Sequence, residues 1–128
     1  MKKDTDTTIQ ELKEIVIKFT KDRHWELHHK PKNLAMGIAI EAAELMEHYQ
    51  WDQPVDRDEM SDELADILFN ILNFAQQENI DIATSFMKKY EKLLKKYPVE
   101  KFNEERGDLD EYRRIKQQYR RNKNKSSR

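Results

Sequence analysis

The sequence predicts an all-α fold, a four-helix bundle-like core with a short basic C-terminal extension. Three observations carry that expectation. Glycine occurs twice and proline three times in 128 residues, too little turn chemistry for a many-stranded β fold. Charged residues make up 38% of the chain, and most are good helix formers. Apolar residues recur at helical spacing in four long segments joined by short connections. Hydrophobic residues reach only 37% in this short chain, so part of the apolar surface is expected to be buried between subunits.

The first helix is expected from about Thr8 to Lys21, because Ile9, Leu12, Ile15, Val16 and Phe19 fall on one face. Asp22 to Lys32 holds Trp25, His24, His28 and His29. It ends at Pro31, which disfavours helix in the residue before it, so a partly irregular connection is expected. Asn33 is a good N-cap for a second helix running to about Gln50. Asp52 to Asp56, with Pro54, reads as a turn. Asp56 and Glu59 have capping-box spacing and open a third helix that continues to about Glu78. A fourth opens near Asp81 and runs to Tyr97, where Pro98 stops it. Gly107 separates these from a last helical stretch, Leu109 to Arg121, and a frayed tail. The expected division is therefore a domain at 1–107 and a charged helical or disordered tail at 108–128.

Composition excludes several classes of function. The formal net charge is −1, so the chain as a whole is not a generic nucleic-acid binder, although eight basic residues and no acidic one follow from Arg113 onward. That tail reads as a solvated end, and nucleic acid is not an expected partner. There is no cysteine, hence no disulfide and no thiolate-ligated zinc site. Met1 to Thr8 is polar, without the apolar core of a signal peptide. No apolar run approaches the ~20 residues of a membrane span. The expected compartment is the cytoplasm, with no membrane contact.

The third helix carries the chemistry. From Leu64 to Ala75 it is apolar on nearly every side, which predicts burial. Its exceptions, Glu63, Asp66, Asn70 and Asn73, are spaced three, four and three apart and form one polar stripe. Buried carboxylates are costly unless they are paired or bind a metal. The second helix offers Glu41, Glu44 and Glu47, also three apart on one face. Glu41 with Glu44 and Glu63 with Asp66, on facing helices, make a four-carboxylate cage. Hard oxygen ligands without thiolates suit Mg²⁺, with Mn²⁺ as the second choice. Such an ion commonly holds phosphates. A di-iron site would need paired Glu-x-x-His motifs, and only Glu26 to His29 has that spacing. Glu47, Glu59 and Asp62 read as ordinary exposed charges, and His24, His28 and His48 as surface residues.

At these residues the sequence resembles the MazG-like all-α nucleoside triphosphate pyrophosphohydrolases, and most of all their dCTP pyrophosphatase branch. The pattern is Glu41-Ala-Ala-Glu44 followed by Glu63-Leu-Ala-Asp66. It is flanked by Arg23-His-Trp25, His29-Lys-Pro-Lys-Asn33-Leu34, Tyr49-Gln-Trp51 and Lys96-Tyr97-Pro98. The resemblance covers about Thr8 to Phe102. It implies Mg²⁺-dependent hydrolysis between the α and β phosphates, giving a nucleoside monophosphate and pyrophosphate, with a dCTP-like substrate preferred. It also implies a homo-oligomer, either a dimer or a tetramer made from dimers. By the same resemblance the four carboxylates hold the metal, and Glu44 also orients the attacking water as the catalytic residue. Trp25, His29 and Trp51 match positions that enclose the base, and Lys89 matches a basic position near the phosphates. Asn70, in the polar stripe, joins them as a substrate-binding residue. The chain departs from the pattern at Ile40, where many members carry a further glutamate, and at Leu93, where many carry asparagine. The competing reading is a non-catalytic helical module that assembles with proteins or nucleic acid. The intact carboxylate quartet argues against it, since a scaffold gains little from four clustered acids.

Overall fold

The computed structural model describes residues 1–102 and 109–127, and among these every regular element is helical. Five α-helices follow in order: α1 (Ile9–Asp22), α2 (Pro31–Glu47), α3 (Arg57–Gln77), α4 (Ile82–Lys96) and α5 (Leu109–Ser126). Short 3₁₀ turns at Trp25–Leu27 and Val99–Lys101 lie in the connections after α1 and α4. The chain forms two compact units, Met1–Ile82 and Ala83–Arg128. None of the described helices is long and apolar enough to cross a membrane. Gly107 lies outside the described residues.

In the first unit, α2 packs chiefly on α3, and α1 packs on α3 as well. Thr8 caps α1 through a reciprocal box. Its hydroxyl accepts from the Glu11 backbone N–H at 3.2 Å, and its own N–H donates to the Glu11 carboxylate at 2.7 Å. The core between the helices is Val16, Leu34, Leu72 and Ala75. Lys13 is also buried, and its Nζ donates to the Ile80 carbonyl at 2.7 Å, tying α1 to the end of the α3–α4 connection. This satisfies a buried charge with a backbone partner rather than a counter-ion.

Two boundaries differ from the sequence reading for local reasons. The second helix starts at Pro31, not Asn33. Proline fits the first helical position because its fixed φ suits the helix and its missing N–H would have no partner there. Asn33 then lies within the first turn, where its amide donates to the His28 carbonyl at 3.0 Å. The last helix continues past Arg121 to Ser126, where a frayed tail was expected. The third helix begins as expected, with the Asp56 carboxylate accepting from the N–H groups of Asp58 and Glu59 at 2.9 and 3.1 Å.

Burial of α3 is graded along its length. Leu72, Asn73 and Ala75 are buried, but Leu64 and Leu68 are 53% and 45% exposed. An open apolar groove runs between α1 and α3, lined by Ile15, Val16, Leu68, Phe69 and Leu72 among others. In the second unit, Tyr97 stacks on Tyr112 at 5.3 Å, and the Lys96 ammonium lies 4.5 Å from the Tyr119 ring centre. Ile115 is the buried apolar residue of α5.

Candidate metal and nucleotide site

Contacts between the α2 region and α3 fall in opposite order along the two segments. His48 faces Glu59 and Glu63, Glu41 and Glu44 face Glu63, Gly37 meets Asn70, and His29 meets Asn73. The helices are therefore antiparallel, and polar side chains recur in a line along this seam.

At one end of the line Glu41, Glu44 and Glu63 bring carboxylate oxygens within 4.8 Å of one another. Glu41 and Glu63 are half-buried and Glu44 is exposed. Asp66 stands outside this set, so the structure gathers three of the four expected carboxylates. Its charge still reaches the cluster. Burial pushes the Glu41 carboxyl above its ordinary value of 4.5, and repulsion from Glu44, Asp66 and Glu63 pushes it in the same direction. Crowded carboxylates with only oxygen donors are what a hard divalent cation neutralises, so this donor set fits Mg²⁺ or Mn²⁺.

His48 is a correction to the sequence reading, which placed it on the surface. Its side chain is only 18% exposed. Its Nε2 lies 3.6 Å from Glu63 Oε1, and its Nδ1 lies 4.0 Å from Glu59 Oε2. The signal was present in the spacing, because His48 follows Glu44 by four residues and so shares its face.

At the other end, Trp25 and His29 come together. Their ring centres are 5.4 Å apart, edge to face, and Phe19 also packs edge to face with Trp25 at 5.4 Å. Trp25 is 41% exposed, leaving part of its indole open. His29 Nδ1 is 2.9 Å from the amide nitrogen of Asn73, which is buried. Sequence reasoning placed Asn73 in the stripe but gave it no partner.

Three expected site residues remain. Trp51 lies exposed in the turn between α2 and α3. The Asn70 amide donates to its own helix, at the Asp66 carbonyl, at 3.1 Å, and its Oδ1 lies 3.2 Å from where a Cβ on Gly37 would stand. The absence of a side chain at Gly37 thus permits the close approach of α2 and α3. Lys89 is exposed on α4, in the second unit.

Fold and site together define an all-helical protein with an acidic cluster suited to a hard divalent cation on an antiparallel helix seam. The MazG-like family model matches residues 36–111, more than half of the chain, and the chain belongs to the MazG-like family. The matched stretch contains both acidic pairs. Among named relatives, dCTP pyrophosphatase 1 of Rattus norvegicus is 27% identical over 104 residues, covering 73% of this chain and 61% of the relative. The Homo sapiens protein of that name is 25% identical over 104 residues, with the same coverage. The chain thus spans about three fifths of the length of these curated relatives. The crystal structure of a pyrophosphatase from Archaeoglobus fulgidus superposes with a TM-score of 0.64 at 35% identity, covering 70% of this chain and 92% of that one.

Proposed function

We propose that this chain is an Mg²⁺-dependent nucleoside triphosphate pyrophosphohydrolase that cleaves between the α and β phosphates, with dCTP or a close analogue preferred. Mn²⁺ would serve as the alternative ion. The observation that carries this reading is the convergence of Glu41, Glu44 and Glu63 from two helices within 4.8 Å. Family membership and the names of the relatives agree with it. Asp66, one turn beyond Glu63, lies outside this tight group and is proposed as the fourth ligand because its charge also raises the Glu41 carboxyl.

A cation held there would neutralise charge on the phosphates and lower the proton affinity of a bound water. The protein's own groups divide the remaining work. Glu44 is the exposed member of the cluster, able to accept a proton from the attacking water and hold it in line. Trp25, 41% exposed, offers a stacking surface for a base, and His29 offers a ring nitrogen to its edge; Trp51, beyond the acidic end of the same seam, would join them only from a neighbouring copy of the chain. Asn70 would contact substrate from the stripe. Along α3, at 1.5 Å per residue, Asn73 lies about 15 Å from Glu63. That separation is comparable with the reach of a nucleotide from base to terminal phosphate.

Assembly as a dimer, or a tetramer of dimers, would cover the apolar groove and the exposed Leu64 and Leu68. The nucleotide-handling role fits the cytoplasm. The direct test is pyrophosphate release from a panel of ribo- and deoxyribonucleoside triphosphates, with Mg²⁺ and with a chelator. Release from dCTP that stops on chelation is the expected result. Failure to release pyrophosphate from any nucleotide in Mg²⁺ or Mn²⁺ would overturn the proposal.

A further inference from the structure

A buried asparagine inside a helix must find partners, because an unpaired polar group in the interior is costly. Asn73 is 3% exposed and finds two. Its amide nitrogen lies 2.9 Å from His29 Nδ1, and its Oδ1 receives a hydrogen bond from the Gln77 side-chain amide at 3.5 Å. The structure orients the Asn73 amide with its nitrogen toward His29 and its oxygen toward Gln77.

That orientation has a consequence for His29. An amide –NH₂ carries two donors and offers no lone pair. The histidine nitrogen facing it must accept, so Nδ1 is unprotonated. In the neutral imidazole the proton then resides on Nε2. The arrangement is the reverse of the common one, in which Nδ1–H donates to a carbonyl or carboxylate. Packing against Trp25 orients the ring, and the His29 backbone N–H donates to the Trp25 carbonyl at 2.9 Å.

We propose that Asn73 is a specificity-determining positioning residue, locking His29 as a hydrogen-bond donor toward the nucleobase. This rests on the reading of His29 as a base-facing residue in the proposed nucleotide site. The lock selects bases that present a lone pair, such as N3 of cytosine, and disfavours those that present N–H there, such as N3 of thymine. Asn73 never touches substrate and acts only through the His29 proton.

Nitrogen-15 NMR of the intact protein at about pH 8, above the ordinary histidine range, reads the tautomer directly. The expected pattern is an unprotonated Nδ1 and a protonated Nε2 on His29, and the opposite pattern overturns the inference. Asn73→Asp replaces the donor by an acceptor and should move the proton to Nδ1. The kcat/KM for dCTP should then fall about tenfold or more, while that for dTTP stays level or rises. An equal loss on both nucleotides, or an unchanged ratio, refutes the specificity role. Asn73→Ala, should the aspartate variant fail to fold, is expected to lower the dCTP to dTTP ratio without inverting the tautomer. Titration of the wild type with each nucleotide, following His29 Nε2, separates the two readings. Tighter binding of dCTP through Nε2 supports the tautomer lock even if no pyrophosphate is released, and no response at Nε2 defeats it even if hydrolysis is robust.

Discussion

Replacing Glu41 by glutamine keeps the size of the side chain and removes its charge from the acidic cluster. At the outer separation of 4.8 Å, two unit charges repel by about 0.9 kcal/mol in a water-like dielectric. Glu41 has two such neighbours, Glu44 and Glu63, so the repulsion relieved is about 2 kcal/mol before salt screening and about 1 kcal/mol after it. Glu41→Gln should therefore raise the melting temperature of the metal-free protein, by about 4 °C for a chain of this size. The same substitution should abolish the rise that Mg²⁺ gives the wild type, since only a folded state that binds the ion gains from it. The pH dependence has a definite sign. The Glu41 carboxyl is raised above 4.5 in the folded protein, so the folded state takes up its proton first, and stability grows as pH falls through that raised value toward 4.5. The variant should lack this gain. Thermal unfolding followed by circular dichroism, in chelator and in Mg²⁺, measures all three effects. A variant less stable than the wild type in chelator, or one that Mg²⁺ still stabilises equally, would refute the reasoning.

Other substitutions probe separate parts of the molecule. Asp66→Asn should suppress turnover of every nucleotide alike, whereas Trp51→Ala should weaken binding by about 1–3 kcal/mol for a lost stacking surface and blur the base preference; unchanged Michaelis constants for dCTP and dATP in the latter would make Trp51 a packing residue. Asp56→Ala removes both N–H acceptors at the start of α3 and should lower stability by about 1 kcal/mol in urea titrations. The Glu11 carboxyl is lowered from 4.5 to about 2, chiefly by the Thr8 backbone N–H and then by Lys2. Its contribution is present above 4.5 and lost as pH falls through about 2, so Glu11→Gln should flatten that part of the acid-unfolding curve.

Helix existence and order were legible because they depend on local periodicity, caps and breakers. Thr8, Asp56 and Pro98 mark boundaries through groups within a few residues of themselves. The start of α2 was misplaced because Asn33 and Pro31 compete for it, and proline's fixed φ prevails. The two acidic pairs were legible as spacing on single helices. Their register was not, because it depends on where α2 crosses α3, and that is why Asp66 falls outside the closest group. His48 and Asn73 were underread for the same reason. Each meets a partner on another segment, Glu63 in one case and His29 in the other. The apolar run of α3 predicted more burial than Leu64 and Leu68 show, since hydropathy does not say which molecule supplies the cover.

Gly37 gains a meaning from its neighbours that its own chemistry does not suggest. It sits one turn before Glu41, against Asn70, one turn after Asp66. This close approach of α2 and α3 thus falls one turn from the proposed ion, and the spacing there acts as a gauge for the carboxylates above it. A methyl group at residue 37 would meet Asn70 Oδ1 at 3.2 Å, and the Asn70 side chain or the seam beneath it would have to give by a few tenths of an ångström. Mg²⁺ takes its ligands at about 2.0–2.1 Å and Ca²⁺ at about 2.3–2.6 Å, a comparable difference in span. Discrimination between ions of equal charge would then be calibrated by a residue that has no donor atom and never touches the metal.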